Sequence, residues 1–217
     1  IEFGGTPAAP PRWLPGGVEY LERSGNRLMR TNAETTETRP FHDAAKMEKA
    51  VATLDGVSAD DARSIAGRTS FDFNADASAT LVTHANDLFY YHFADGRAAR
   101  LTKSPEAEEH ASFSPDGKRV AFVRNHNLFV VEIESREERA LTTEGNAKLL
   151  FGELDWVYQE EIYGRGNFKA YWWSPDSKRL ALLRLDESEV KSFTVVDHLP
   201  VRQELEVTSY PKAGDPN

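Results

Sequence analysis

The chain has no cysteine and only two methionines, which removes disulfide frameworks, Cys-ligated zinc and thiol nucleophiles from consideration. That lack does not fix a compartment, because exported bacterial proteins are often cysteine-poor as well. Long apolar runs are missing too: nothing approaches the ~20 residues that cross a bilayer. Residues 1–11 carry neither a basic n-region nor an apolar h-region, so any signal peptide is expected to have been removed already. Positive charge is in deficit. Lys and Arg number 26 against 35 Asp and Glu, a net charge of -9, which opposes a phosphate-backbone partner and favours cationic ligands. Gly-x-Ser-x-Gly is absent; without that elbow and its oxyanion donors, no acyl transfer is expected from this chain alone. What is present is ordinary globular material: 217 residues, 40% hydrophobic, 28% charged and 11% aromatic, enough for one large or two small domains.

Self-similarity organises the chain. Phe113-Ser114-Pro115-Asp116-Gly117-Lys118-Arg119-Val120 returns as Trp173-Ser174-Pro175-Asp176-Ser177-Lys178-Arg179-Leu180, and a weaker copy starts at Phe73-Asn74-Ala75-Asp76-Ala77. Leu101-Thr102 returns as Leu141-Thr142. The period is that of a propeller blade. Each unit reads as an aromatic strand, a tight turn, an apolar strand, a polar break, a further apolar strand and a charged turn. Pro presets φ in the turn, Asp bonds the backbone ahead and Gly accepts positive φ. Trp13 to Tyr20 looks like a degenerate first copy. The expected fold is therefore all-β: about three and a half four-stranded antiparallel blades, a partial β-propeller with no α/β-hydrolase domain, filling residues 1–217 as one domain portion.

Three stretches depart from the rhythm. Residues 42–66 carry Ala45, Met47, Val51 and Leu54 at helical spacing, and Asp60 to Ile65 reads as a second short helix. Residues 195–208 alternate apolar and polar side chains, as a β-arm would. Residues 145–171 contain Asp155-Trp156-Val157-Tyr158-Gln159-Glu160-Glu161. The adjacent Glu160 and Glu161 diverge by ~100° on an α-helix, so both reach one ligand only over the helix end. Taken by spacing alone, a solvated acidic helix is the plainer account. Trp156, Tyr158, Trp172 and Trp173 are expected in the core. His42, His84, His92, His110, His126 and His198 show no metal-ligand spacing and read as polar surface or strand residues. No metal or other cofactor is expected.

The run from Asp155 to Glu161 resembles the Asp-Trp-Val-Tyr-Glu-Glu-Glu signature of the dipeptidyl peptidase IV family. Trp172-Trp173-Ser174-Pro175-Asp176 matches that family's next strand and turn, and Tyr210-Pro211-Lys212-Ala213-Gly214 matches its Tyr-Pro-Lys-Ala-Gly. The resemblance is close from Phe71 to Asn217 and loose before it. It implies the N-terminal propeller portion of a serine exopeptidase, bacterial in type, that releases X-Pro or X-Ala dipeptides. The catalytic Ser, Asp and His would lie in a hydrolase portion elsewhere, leaving this chain inactive alone. The resemblance assigns the substrate's free α-ammonium to Glu160 and Glu161. Gln159 replaces an acid outside that pair, a departure not expected to matter. Family members also aim an arginine at a substrate carbonyl; Thr83 to Phe89 holds none, so Arg63 is the candidate, with a plain surface arginine as the alternative. The resemblance further implies a homodimer through residues 195–208 and a periplasmic or secreted location. The rival reading is a non-catalytic propeller that binds a protein or cationic ligand.

Overall fold

The computed structural model describes residues 10–216. Its regularity comes from the turns. Asp116 accepts the Ser114 hydroxyl at 2.6 Å and the Lys118 N–H at 3.1 Å, and Asp176 repeats this with Ser174 and Lys178 at the same distances. The residue that follows sits in left-handed backbone in every copy: Gly17, Ala77, Gly117 and Ser177 have φ between 58° and 69°. Only two of the four are the glycine that such φ favours.

Each turn joins two neighbouring antiparallel strands, and in three of the copies that pair belongs to a four-stranded sheet. β1 (Arg12–Trp13), β2 (Glu19–Ser24), β3 (Arg27–Asn32) and β4 (Thr38–Pro40) form the first. Helices α1 (Ala44–Val51) and α2 (Ala59–Ala66) follow, started by Asp43 and Ser58, whose side chains accept the N–H groups of Lys46 and Asp61. β5 (Asp72–Phe73), β6 (Ala79–His84), β7 (Asp87–His92) and β8 (Ala98–Arg100) make the second sheet; β9 (Glu109–Phe113), β10 (Arg119–Arg124), β11 (Asn127–Glu132) and β12 (Glu138–Ala140) make the third. The central hairpins are pinned by two-residue turns with positive φ at both positions, Ala85-Asn86 and Asn125-His126, the geometry that matches strand twist. The Leu-Thr repeat has its own role: Thr102 and Thr142 side chains accept the Leu88 and Leu128 N–H groups at 2.8 and 3.0 Å.

The chain divides between Ser104 and Pro105 into two compact units. In the first, Met47, Val51, Ala62 and Ile65 project from the two helices into Leu21, Leu28, Val82 and Tyr91. In the second, Ala121, Val123, Leu128 and Val130 close around Tyr171. The second unit also holds β13 (Leu149–Phe151), β14 (Tyr171–Trp173), β15 (Leu180–Leu182), β16 (Arg184–Asp186) and the hairpin β17 (Ser192–Asp197) with β18 (Glu204–Ser209). No helix among the described residues is long and apolar enough to cross a membrane.

One expectation needs correction. Trp156 and Trp172 are exposed rather than core, at 41% and 43%. Trp156 lies between Gly152 and Ala170, outside the strands, with its ring tilted 52° to that of Tyr210 and the centroids 5.4 Å apart. Tyr171, the chain neighbour of Trp172, is by contrast fully buried.

Candidate functional site

β13 and β14 pair with consecutive stretches of a single returning strand, β13 with β16 and β14 with β15. Leu183 marks the join: its N–H bonds the Ala170 carbonyl at 2.9 Å and its carbonyl accepts Gly152 N–H at 3.0 Å. The chain from Gly152 to Ala170 therefore leaves the sheet as an excursion. Its neck is closed by Ala170 N–H to the Gly152 carbonyl (2.8 Å), Leu154 N–H to the Phe168 carbonyl (2.7 Å) and a bridge between Glu153 and Lys169. Gly152 has φ of 78°, a backbone that favours glycine, and a Cβ there would also meet the Tyr171 ring tightly, at 3.3 Å.

At the tip, the Asp155 carboxylate accepts the Tyr158 N–H at 2.6 Å and its carbonyl accepts Gln159 N–H at 3.1 Å. Tyr158–Ile162 is a single π-helical turn, closed by Tyr163 N–H on the Tyr158 carbonyl at 2.9 Å. The wider π turn separates successive side chains by less than the ~100° of an α-helix, which eases the divergence of Glu160 and Glu161. Glu160 is half-buried and ion-paired with Arg165, while Glu161 is exposed. Gln159 is buried, and its side-chain oxygen accepts Gly166 N–H at 2.7 Å. The departure from an acid at 159 thus has a structural task, tying down the loop that carries Arg165. Motif reading missed this, since the partner is a backbone group.

Beneath the tip, Glu187 is buried. Burial pushes its carboxyl above the usual carboxylate range, with the neighbouring Asp155 adding to the rise and a Ser209 hydrogen bond and Lys148 opposing it. Beside the neck, β9 carries an extra residue: Val123 pairs with Glu109 after Ala121 pairs with Ser112. His110 sits in that bulge at φ 57°. Its ring stacks on Phe168 at 6.4 Å and 17°, and burial lowers its pKa. The Tyr171 hydroxyl lies on the carbonyls of His110 and Ala121, the latter at 2.7 Å. Burial also raises the Tyr171 phenol well above its ordinary value and lowers that of Lys169, whose ammonium stands 4.4 Å from the Tyr171 ring centre.

Glu160 and Glu161 thus share one turn. Arg63 belongs to the other compact unit, on α2, where it is exposed and ion-paired with Glu48 (3.4 Å) and Asp60 (3.0 Å).

Comparison with known proteins places this architecture. The dipeptidyl peptidase IV (DPP IV) N-terminal region matches residues 72–217. Dipeptidyl aminopeptidase B of Saccharomyces cerevisiae is 38% identical over 112 residues, 49% of this chain and 13% of that protein. The Arthroderma gypseum protein named for dipeptidyl-aminopeptidase B is 40% identical over 119 residues, again 49% and 13%. The chain therefore corresponds to a small part of these relatives' length. Porphyromonas gingivalis dipeptidyl peptidase 4 shares the fold, with a TM-score of 0.69 at 22% identity, covering 94% of this chain and 29% of that one. With a family match that spans more than half its length and includes both the repeated turns and the double-Glu excursion, the chain belongs to the dipeptidyl peptidase IV N-terminal region family.

Proposed function

We propose that this chain is the substrate-anchoring portion of a serine dipeptidyl peptidase, and that Glu160 and Glu161 hold the free α-ammonium of its peptide substrate. The observation that carries the proposal is the pair of adjacent carboxylates on one π turn, at the tip of an excursion within the family-matched region. Two adjacent carboxylates make a cation site, and a peptide amine that titrates near ~8 is charged below that pH. At an effective dielectric near 20 each pairing is worth up to about 4 kcal/mol gross, before desolvation is subtracted. Arg165 already pairs with Glu160. The Arg165 side chain is 83% exposed, so displacing it costs about 1 kcal/mol or less.

Anchoring the amine also sets a ruler. A two-residue extended segment reaches at most ~7 Å, so the bond presented to a nucleophile lies two residues from the N-terminus, as release of X-Pro or X-Ala dipeptides requires. The nucleophile belongs to an α/β-hydrolase portion of the same protein, and the propeller portion admits and orients the substrate. Arg63 stays the candidate for a substrate carbonyl: its side chain is 66% exposed, and its surface ion pairs with Glu48 and Asp60 cost about 1 kcal/mol or less to displace. The exposed hairpin β17–β18 forms the contact of a homodimer.

The test uses the complete peptidase. Glu160→Gln and Glu161→Gln should each lower kcat/KM for X-Pro substrates at least about tenfold, about 1.4 kcal/mol, with the fold intact by circular dichroism. Acetylating the substrate amine should reproduce the loss. Equal cleavage of free and acetylated substrates would show the pair to be an acidic rim, as in a non-catalytic binding module.

A further inference from the structure

The neck of the excursion gathers a second set of polar groups that the double-Glu motif does not use. Glu109 and His110 arrive on β9, and Glu153 comes from the neck itself; one ligand-capable atom from each lies within 4.8 Å of the others. We propose that Glu109, His110 and Glu153 form a binding site for a divalent transition-metal ion, zinc first, that pins the neck of the double-Glu excursion to β9.

The donor chemistry fits. One imidazole and two carboxylates are the nitrogen and oxygen ligands that zinc takes in its three-residue sites, with bonds of about 2.0–2.2 Å. Thiolates are lacking, which leaves a nitrogen and oxygen donor set of the kind that suits zinc bound by His and carboxylate and disfavours Cu(I) and iron–sulfur clusters. Tetrahedral ligands at those bond lengths stand about 3.4 Å apart, and the exposed Glu109 side chain can swing inward to close the set.

The shell around these three is built, not incidental. The left-handed bulge at His110 re-aims a side chain that an unbroken strand would place differently. Tyr171 holds the His110 carbonyl and Phe168 stacks on the ring. Glu153 is buried and accepts His126 Nδ1 at 2.5 Å on one oxygen, leaving the other for a ligand. Such outer contacts orient ligating groups and are as much part of a metal site as the ligands. Lys169 is the cation beside Glu153 across the neck bridge; its charge opposes a bound ion and sets an upper limit on affinity.

Metal analysis and calorimetry with Zn2+ on the complete protein, stripped by chelator, provide the test. The expected result is one Zn2+ per chain, lost in Glu153→Gln and weakened at least about tenfold in His110→Ala. Lys169→Met should bind more tightly. Each variant is first checked by circular dichroism in chelator, and Glu109→Gln, on an exposed side chain, serves as the variant whose folding is safest. Stoichiometric Zn2+ retained by all of the Glu109, His110 and Glu153 variants, or none bound by the parent, would overturn the site. Because the readout is metal content, it is independent of whether Glu160 and Glu161 bind an amine.

Discussion

In the turn between the third and fourth strands of each complete sheet, one residue occupies left-handed backbone: Thr36 at φ 61°, Gly96 at 77° and Arg136 at 61°. Each donates its N–H back to a carbonyl four residues earlier, at 2.8–3.0 Å, so the three turns are structural equivalents. Only the second has glycine. An L residue in this region costs about 1–2 kcal/mol, and a β-branched one is poorly suited to it. Thr36 is exposed, and its hydroxyl bonds only the adjacent Thr35 carbonyl. Thr36→Gly should therefore raise unfolding free energy by about 1 kcal/mol, after the extra entropy of glycine in the unfolded chain is subtracted. The converse change, Gly96→Ala, should lower it, since a Cβ there also meets the Lys46 side chain at 2.6 Å. Urea melts of the two variants measured beside the parent check both signs; a destabilised Thr36→Gly would contradict the argument.

At the scale of the element, the turns are held by carboxylates rather than by glycine. The Ser78 hydroxyl holds Asp76 below its ordinary pKa, the Arg97 N–H does so for Asp95, and the Ser174 hydroxyl for Asp176. A carboxyl depressed in the folded state binds fewer protons there than when unfolded. Its contribution is present above the unfolded value near ~3.9 and is lost as pH falls through the folded one. Melting temperature should fall as pH drops below about 4, and an Asp76→Asn, Asp176→Asn double variant should lose part of that slope; an unchanged slope would remove the turns from the account. These turns were legible in the sequence because Ser-Pro-Asp-Gly chemistry is local. The Leu101-Thr102 and Leu141-Thr142 repeat was visible, yet its reason, a threonine capping the hairpin of its own sheet, needs the register of β7 and β11. The double-Glu segment was readable as a motif for the same local reason. Its π turn was not, nor was the task of Gln159, nor the meeting of Glu109 and His110 with Glu153, because each depends on how the neck closes on β9. Trp156 and Trp172 misled the core assignment for a related reason: apolarity marks a side chain as able to be buried and does not say which strand face it stands on.

For the whole molecule, the decisive element is the hairpin of β17 and β18. Its register pairs Thr194 with Val207 and Val196 with Leu205, so Val196, Leu205 and Val207 share one face. Leu205 and Val207 stay 67% and 62% exposed, and Leu199 and Val201 at the loop are almost fully so. A two-stranded ribbon alone is marginal in water, and an apolar face of this kind marks an interaction surface. Anchorage comes from the base, where Lys148 bonds Ser209 at 2.6 Å and Tyr210 packs against Phe193 and Trp156. The proposed homodimer supplies the missing cover by setting this ribbon against a second copy, an arrangement that closes by two-fold symmetry. Removing residues 199–206 in the complete protein should convert dimers to monomers by light scattering, and Leu205→Asp with Val207→Asp should do the same without shortening the chain. The base contacts lie outside the deletion, so the double-Glu excursion should keep its fold, and activity per monomer against X-Pro substrates would report on that directly. An unchanged dimer mass in both variants would make the ribbon an ordinary surface hairpin and would move the dimer contact elsewhere.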